Sequence, residues 1–264
     1  MPRFAANLSM MFNDVPFPER FERAAKAGFK AVEFLFPYDY PAEEVAGWLK
    51  SNGLENVLFN LPPGNTAAKE WGVTSLPGRE AEFRDHLAMA IDYAKVLGTP
   101  RVLAMGGYLP EGADPALHRA TFVCNLRSAA QRLAKEGLNL MIEPLNLRDF
   151  PRFFLNNQIQ AHGIREEVGE PNLKVQMDFY HVQVSEGDVS FKLKKYIDHI
   201  GHIQIAGAPD RHEPDEGELD YRHVFRLLDE LGYQGWVGCE YRPRGRTEEG
   251  LGWMKSLLDY TRVQ

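Results

Sequence analysis

The feature that most constrains this 264-residue chain is a regular alternation of short apolar runs with amphipathic segments. Eight apolar runs, several rich in Val, Ile and Phe, have the length and composition of buried strands. These runs are Phe4–Leu8, Ala31–Phe36, Asn56–Leu61, Arg101–Met105, Leu138–Leu145, Leu173–Phe179, Gly201–Ala206 and Gly235–Tyr241. Strands separated by helices require a parallel sheet with right-handed crossovers. The pattern predicts an α/β fold, a single (β/α)8 TIM barrel domain over residues 1–264.

The segments between the strands carry helix signals. Asp114 is a typical N-cap before a first-turn proline, Pro115, and Gly28, Gly53 and Gly232 stand where helices would stop. The predicted helices are Glu19–Ala27, Ala42–Asn52, Arg79–Leu97, Pro115–Gly137, Gln158–Val168, Ser190–His199, Asp220–Leu231 and Glu248–Arg262. An open doubly wound sheet is the alternative, but the first β–α turn lacks the glycine fingerprint of a dinucleotide site.

Composition and charge exclude several classes of protein. The chain is 44% hydrophobic and 25% charged, as expected for a globular domain. Its net charge of −7 argues against a nucleic-acid partner. Two cysteines make no disulfide framework, and no apolar run is long enough to cross a membrane. We therefore expect a cytoplasmic protein without membrane or nucleic-acid partners, and a homo-oligomer stays open.

Four polar residues interrupt the apolar strands of the second half of the chain. Glu143, Asp178, Gln204 and Glu240 lie near the C-terminal ends of four consecutive predicted strands. In a barrel these ends meet at the catalytic mouth, where three carboxylates would repel one another and lose hydration. A bound cation resolves this, and an all-oxygen shell suits Mg²⁺ or Mn²⁺. The alternative is that some of these side chains face the helices or pair with Arg or Lys.

Further candidates lie near the predicted mouth, in part on two long connections, Pro62–Gly78 and Ala206–Asp220. His181 follows Asp178 closely and could contact substrate. Arg211 could bind a substrate carboxylate, as could Arg242 and Arg244, or could pair with neighbouring acids on the surface. Asp149 could orient a substrate hydroxyl or pair with a neighbouring arginine. His202 is expected to point inward as a hydrogen-bonded core histidine.

Five blocks spread along the chain carry a family resemblance. They are Phe4-Ala-Ala-Asn-Leu-Ser-Met, Val32-Glu-Phe-Leu-Phe-Pro-Tyr, Leu76-Pro-Gly-Arg-Glu, Gly201-His-Ile-Gln-Ile-Ala and Gly235-Trp-Val-Gly-Cys-Glu-Tyr. The chain resembles the hydroxypyruvate isomerases of the xylose isomerase-like superfamily, and the closely related 2-oxo-tetronate isomerases share these blocks. The sugar epimerases of the superfamily carry a histidine where this chain has Gln204.

The resemblance implies that Glu143 and Glu240 are the proton-transfer pair. It implies interconversion of hydroxypyruvate and tartronate semialdehyde through an enediolate, with 2-oxo-tetronate as the alternative substrate. Two carboxyl groups would act as base and acid, and a metal on the substrate oxygens would stabilise the developing charge. An endonuclease IV-type phosphodiesterase is less favoured, since that class binds three zinc ions with many histidines. A sugar epimerase and a non-catalytic sugar-binding barrel are the remaining alternatives.

Overall fold

Eight parallel strands close into one barrel in the computed structural model, which describes residues 2–262, and side chains to residue 257. Each strand pairs with the next along the chain, and the first pairs with the last. The strands are β1 (Arg3–Asn7), β2 (Ala31–Phe34), β3 (Glu55–Asn60), β4 (Arg101–Leu103), β5 (Asn139–Ile142), β6 (Leu173–Asp178), β7 (Ile200–Ile205) and β8 (Trp236–Cys239). The predicted (β/α)8 architecture is confirmed.

Helices follow the strands and cover the outside of the barrel. They are α1 (Phe17–Lys26), α2 (Ala42–Ser51), α3 (Glu80–Leu97), α4 (Pro115–Ala134), α5 (Gln158–Val168), α6 (Phe179–Ser185), α7 (Val189–Tyr196), α8 (Tyr221–Glu230), α9 (Thr247–Gly250) and α10 (Gly252–Arg262). Short 3₁₀ turns occupy Thr66–Ala68 and Ile197–His199. No helix in the described part of the chain is long and apolar enough to cross a membrane.

Most predicted boundaries agree with the structure to within a few residues. The Asp114 carboxylate caps α4 as expected, accepting a hydrogen bond from the Ala116 N–H at 2.9 Å. One helix, α6, was not predicted. Its sequence, Phe-Tyr-His-Val-Gln-Val-Ser, consists mainly of aromatic and β-branched residues, which favour strands. It forms because Asp178 caps it and because its first four residues are buried.

Aromatic side chains pack the strands of the barrel against the surrounding helices. Phe4 on β1 packs edge-on against Trp253 of α10 at 5.1 Å and lies tilted against Phe225 of α8. At the C-terminal ends of the strands the barrel contains buried polar and charged side chains, among them Asn7 and Asp178. The loops that follow the strands surround this end, as in other TIM barrels. The candidate site therefore lies where the fold predicts it.

Candidate active site

The predicted carboxylates come together at the C-terminal end of the barrel. Glu143 and Glu240 directly follow β5 and β8, and Asp178 is the last residue of β6. Ligand atoms of Glu143, Asp178, Glu240 and His181 all lie within 4.8 Å of one another. All four side chains are buried. This cluster, called the carboxylate cluster below, could hold a metal ion.

The two carboxylate oxygens of Asp178 have different partners. Oδ1 accepts from the Tyr180 N–H at 2.9 Å and so caps α6. Oδ2 faces the cluster, 3.5 Å from Arg211 Nη2 and 3.6 Å from His181 Nε2. The cap fixes the first turn of α6, which carries His181. The junction of β6 and α6 therefore positions two members of the cluster at once.

Hydrogen bonding defines the tautomer of His181. Its Nδ1 accepts from the Asn146 backbone N–H at 3.1 Å, which places the proton of the neutral ring on Nε2. Burial, with the positive charge of Arg211 second, holds the pKa of His181 well below its usual range. Nε2 is buried and has no hydrogen-bond partner among the described residues. His181 thus presents a neutral N–H donor to the cluster.

Arg211 reaches into the carboxylate cluster from the loop after β7. Its Nη2 donates to Glu240 Oε2 at 2.7 Å, and its guanidinium stacks over the Tyr180 ring at 4.9 Å. The Arg211 backbone has φ +60°, a left-handed conformation uncommon for a residue with a side chain. The structure thus places Arg211 in the site, with its guanidinium bonded to site carboxylates rather than to surface acids.

Gln204 lies beside Asp178, its partner in the β6–β7 register. Its amide is held on both sides: Nε2 donates to Glu33 Oε1 at 2.6 Å, and Oε1 accepts from Gln176 Nε2 at 2.6 Å. The orientation of the amide is thereby set, and its oxygen keeps a second lone pair. Gln204 stays a predicted metal ligand.

Glu33 is a member of the site that the sequence reasoning missed. It is buried on β2, its Oε2 pairs with His202 Nε2 at 2.6 Å, and Asn7 Nδ2 donates to its Oε1 at 3.0 Å. The same Asn7 nitrogen lies 3.2 Å from Glu240 Oε1. Through Asn7, Glu33 therefore connects Glu240 with Gln204. His202 is a hydrogen-bonded core histidine, as expected from the sequence.

We expect Glu33→Leu to lower the free energy of unfolding by about 3 kcal/mol, because it removes the buried acceptor of His202 and Gln204 and leaves Asn7 with Glu240 alone. Urea unfolding measures the change. Glu55→Leu is the control, because Glu55 is an exposed strand glutamate and should shift stability by about 0.5 kcal/mol or less. A loss in Glu33→Leu no larger than in the control would show that this network contributes nothing to the fold.

Burial raises the pKa of all three acids in the cluster. Desolvation is the largest cause for each, and Arg211 opposes it. The pKa of Asp178 rises to about 6 and that of Glu240 to about 8, while that of Glu143 lies well above its usual range. Nearby carboxylates add to the shift of Glu143. At neutral pH the cluster can therefore hold a proton on one glutamate, as acid–base chemistry requires.

A cavity of about 370 Å³ opens directly above the cluster. This volume is at the small end for ligand sites. Polar and apolar side chains from loops around the whole mouth line it: Ser9, Met10, Asn13, Leu35, Asn60, Trp71, Met105, Glu143, Leu145, Phe150, His181, Arg211, Glu240 and Arg242. Trp71 and Arg211 come from the two long connections, so both loops contribute to the lining of this cavity.

Asp149 lies outside this cavity lining. Its carboxylate accepts from Tyr180 Oη at 2.5 Å and from Asn146 Nδ2 at 3.1 Å, and it pairs with Arg148. Tyr180 supports the Arg211 guanidinium, and Asn146 contacts the His181 ring. The geometry therefore gives Asp149 contacts with the residues behind Arg211 and His181. Its predicted contact with a substrate hydroxyl stays a prediction.

The donor set and its unpaired atoms fit a divalent cation. Glu143 Oε1 is buried and has no hydrogen-bond partner among the described residues. Three carboxylates supply the oxygen ligands that Mg²⁺ and Mn²⁺ prefer. A single imidazole, presented here as an N–H donor, gives less of the nitrogen and sulfur shell that structural zinc favours.

The sequence profile of the xylose isomerase-like TIM barrel family matches residues 21–257. The chain belongs to this family. It is 55% identical to the 2-oxo-tetronate isomerase of Cupriavidus necator, over 98% of this chain and 99% of that protein. It is 48% identical to the hydroxypyruvate isomerase of Escherichia coli, over 96% of this chain and 98% of that protein. These relatives show that the chain is an isomerase.

A solved structure shows the same fold closely. A protein from Brucella melitensis, described as an AP endonuclease of family 2, has a TM-score of 0.95 and 51% sequence identity. The match covers 97% of this chain and 99% of that one. The resemblance noted in the sequence is thus confirmed at the level of family and fold.

Proposed function

We propose that the protein moves a carbonyl group between adjacent carbons of a short hydroxylated 2-oxo acid, through an enediolate. The observation that carries this proposal is the pair Glu143 and Glu240, two buried carboxyl groups with raised pKa that both line one small cavity. Binding alone needs no such pair, whereas a proton relay between neighbouring carbons needs one base and one acid.

The chain's own groups account for both carbon-bound protons. One glutamate, as carboxylate, removes the proton from the carbon that bears the hydroxyl group. The other glutamate, as carboxylic acid, returns a proton to the former carbonyl carbon, and the roles reverse in the opposite direction. The hydroxyl proton passes from the oxygen that becomes the new carbonyl to the former carbonyl oxygen, so no proton is gained or lost overall. The His181 Nε2–H and the Arg211 guanidinium lie beside both glutamates and can donate to the enediolate oxygens.

Glu143, Asp178 and Glu240 would hold a divalent cation, Mg²⁺ or Mn²⁺, and Gln204 would add its amide oxygen. When bound, the cation supplies Lewis-acid stabilisation of the negative charge on the substrate oxygens. The buried, unpartnered Glu143 Oε1 supports this assignment. Asp178 would act as ligand only, because its other oxygen is committed to the α6 cap.

Asp178→Asn should weaken Mn²⁺ binding at least about tenfold, since the ligand loses its charge while the helix cap can persist. Titration of the metal-free protein, followed by electron paramagnetic resonance of free Mn²⁺, measures the affinity. Asp188→Asn is the control, because Asp188 lies on the α6–α7 turn away from the cluster. Equal affinity in wild type and Asp178→Asn would remove Asp178 from the ligand set.

Two substrates fit this chemistry, and we rank them by the sequence identity of the relatives that are named for them. The more similar curated relative is named for 2-oxo-tetronate, so we place the four-carbon acid first. Hydroxypyruvate, the first expectation from the sequence, is the second candidate because a relative at 48% identity is named for it. Parallel assays of both acids, followed by NMR in D₂O, test the proposal. We expect turnover with deuterium at the newly protonated carbon. The absence of both turnover and exchange with both acids would refute the proposal.

Cleavage of nucleic acid is the alternative function, because the similar Brucella melitensis protein is described as an endonuclease. The described cluster contains three carboxylates and one histidine, in a cavity of about 370 Å³. A chain with net charge −7 also lacks the basic surplus of proteins that bind a nucleic-acid backbone. We therefore expect no cleavage when a duplex with an abasic site is added to the same assays.

A further inference from the structure

Three arginines lie near the mouth of the barrel, and the structure separates them by their partners. Arg211 is bonded to Glu240 and lies near Asp178. Arg244 pairs with Glu213, Asp215 and Glu216, away from the cavity lining. Arg242 lines the cavity, and its guanidinium has no hydrogen bond or ion pair with any side chain of residues 2–257.

The backbone of Arg242 is fixed although its side chain is exposed. Its N–H donates to the Arg211 carbonyl at 2.8 Å, and its own carbonyl lies 2.7 Å from His212 Nδ1. The residue also follows Glu240 by one buried tyrosine. The Cα of Arg242 is therefore held at the rim, close to a reacting carboxyl group, while the guanidinium is left for a ligand.

Electrostatics favours an unpaired cation at the rim of the cavity. A substrate anion that enters the cavity meets Glu143 and Glu240, with Asp178 below them. The charge of Arg211 is already paired with Glu240, although its Nε–H has no partner among the described residues. Among the described residues that line the cavity, Arg242 is the one arginine or lysine whose charge is not paired with a carboxylate.

We propose that Arg242 binds the carboxylate of the substrate and selects 2-oxo acids over uncharged ketoses of the same length. This inference rests on the proposed function and names the group that recognises the acid. A guanidinium can bind a carboxylate through two parallel hydrogen bonds. Ser9, Asn13 and Asn60 line the same cavity and offer neutral partners for the hydroxyl groups of the substrate.

The test compares an acid with its uncharged analogue. In Arg242→Gln we expect KM for 2-oxo-tetronate to rise about 10- to 100-fold with little change in kcat. The kcat/KM for erythrulose, in which CH₂OH replaces the carboxylate, should stay within about twofold. Arg242→Lys should recover part of the loss, because it keeps the charge without the planar fork. Arg246→Gln, at a 61% exposed arginine outside the cavity, is the matched control and should behave as wild type.

A binding measurement makes the test independent of turnover. Calorimetry should show that wild type binds erythronate but not erythritol, and that Arg242→Gln loses erythronate. If no oxo acid is isomerised but this pattern holds, the proposed function fails while the carboxylate site stands. Equal losses for 2-oxo-tetronate and erythrulose would overturn the inference. Erythronate binding that is absent in wild type, or unchanged in Arg242→Gln, would also overturn it.

Discussion

Replacing either Glu143 or Glu240 with glutamine should reduce kcat about 10²- to 10⁴-fold, the usual contribution of a general acid or base. Glutamine keeps the shape of the side chain but can neither accept nor deliver the proton. Folding should survive, because burial already disfavours the charged form of both glutamates, as their raised pKa values show. Initial rates on 2-oxo-tetronate and hydroxypyruvate measure the effect.

Deuterium exchange separates the roles of the two glutamates. The variant that lacks the base for a given direction should lose exchange of the substrate proton with D₂O. The variant that lacks the returning acid should retain exchange but form little product. Glu249→Gln, at an exposed glutamate on α9, serves as control. A decrease of less than tenfold at either position would remove that residue from the proton-transfer pair.

The metal-free protein should become less stable as the pH rises from 7 to 8.5. The pKa of Glu240 is about 8 in the folded state and about 4.3 in an unfolded chain, so the folded state binds more protons. Its stabilising contribution is complete below the unfolded pKa and is lost as the pH rises through 8. His162, whose pKa is lowered to about 3, acts in the opposite sense, but its contribution is complete above about 6.5.

Urea unfolding at the two pH values, in the presence of a chelator, measures this loss. Glu240→Gln should reduce the slope, since glutamine does not titrate, and the raised pKa of Glu143 accounts for what remains. Saturating Mn²⁺ should reduce the loss, because a ligand that binds only the folded state stabilises it by mass action. A free energy of unfolding that stays level or increases from pH 7 to 8.5, in wild type, would contradict the protonation assigned to Glu240.

The sequence predicts the site where a polar residue interrupts an apolar strand. The pattern identifies Asp178 and Glu240 because the residues directly before and after each of them are apolar or aromatic. Glu33 has the same signature between Val32 and Phe34, but it lies on β2, far along the chain from the other carboxylates. It reaches the site only because the barrel closes, with β1 pairing with both β2 and β8.

The loop arginines show a different limit of sequence reasoning. The sequence places Arg211, Arg242 and Arg244 near the mouth of the barrel, but it does not show which residues they pair with. Arg211 turns toward Glu240 from a left-handed backbone conformation, and Arg244 is drawn to the acids of the preceding loop. The pairing of each arginine depends on the geometry of its loop, which cannot be predicted from the local amino-acid composition. Helix α6 is similar, since burial and a cap override the strand preference of its residues.

The loops after β7 and β8 are joined by hydrogen bonds from two backbone N–H groups. The Arg242 N–H donates to the Arg211 carbonyl, and the Arg244 N–H donates to the Glu213 carboxylate. The two loops therefore behave as one mechanical unit, in which an insertion on either side displaces both cavity arginines. Changes of substrate length are more easily accommodated on the opposite rim, where Trp71 belongs to a separate loop. We expect libraries that vary 62–78 to yield active variants with altered chain-length preference, whereas libraries over 206–220 yield mainly inactive ones.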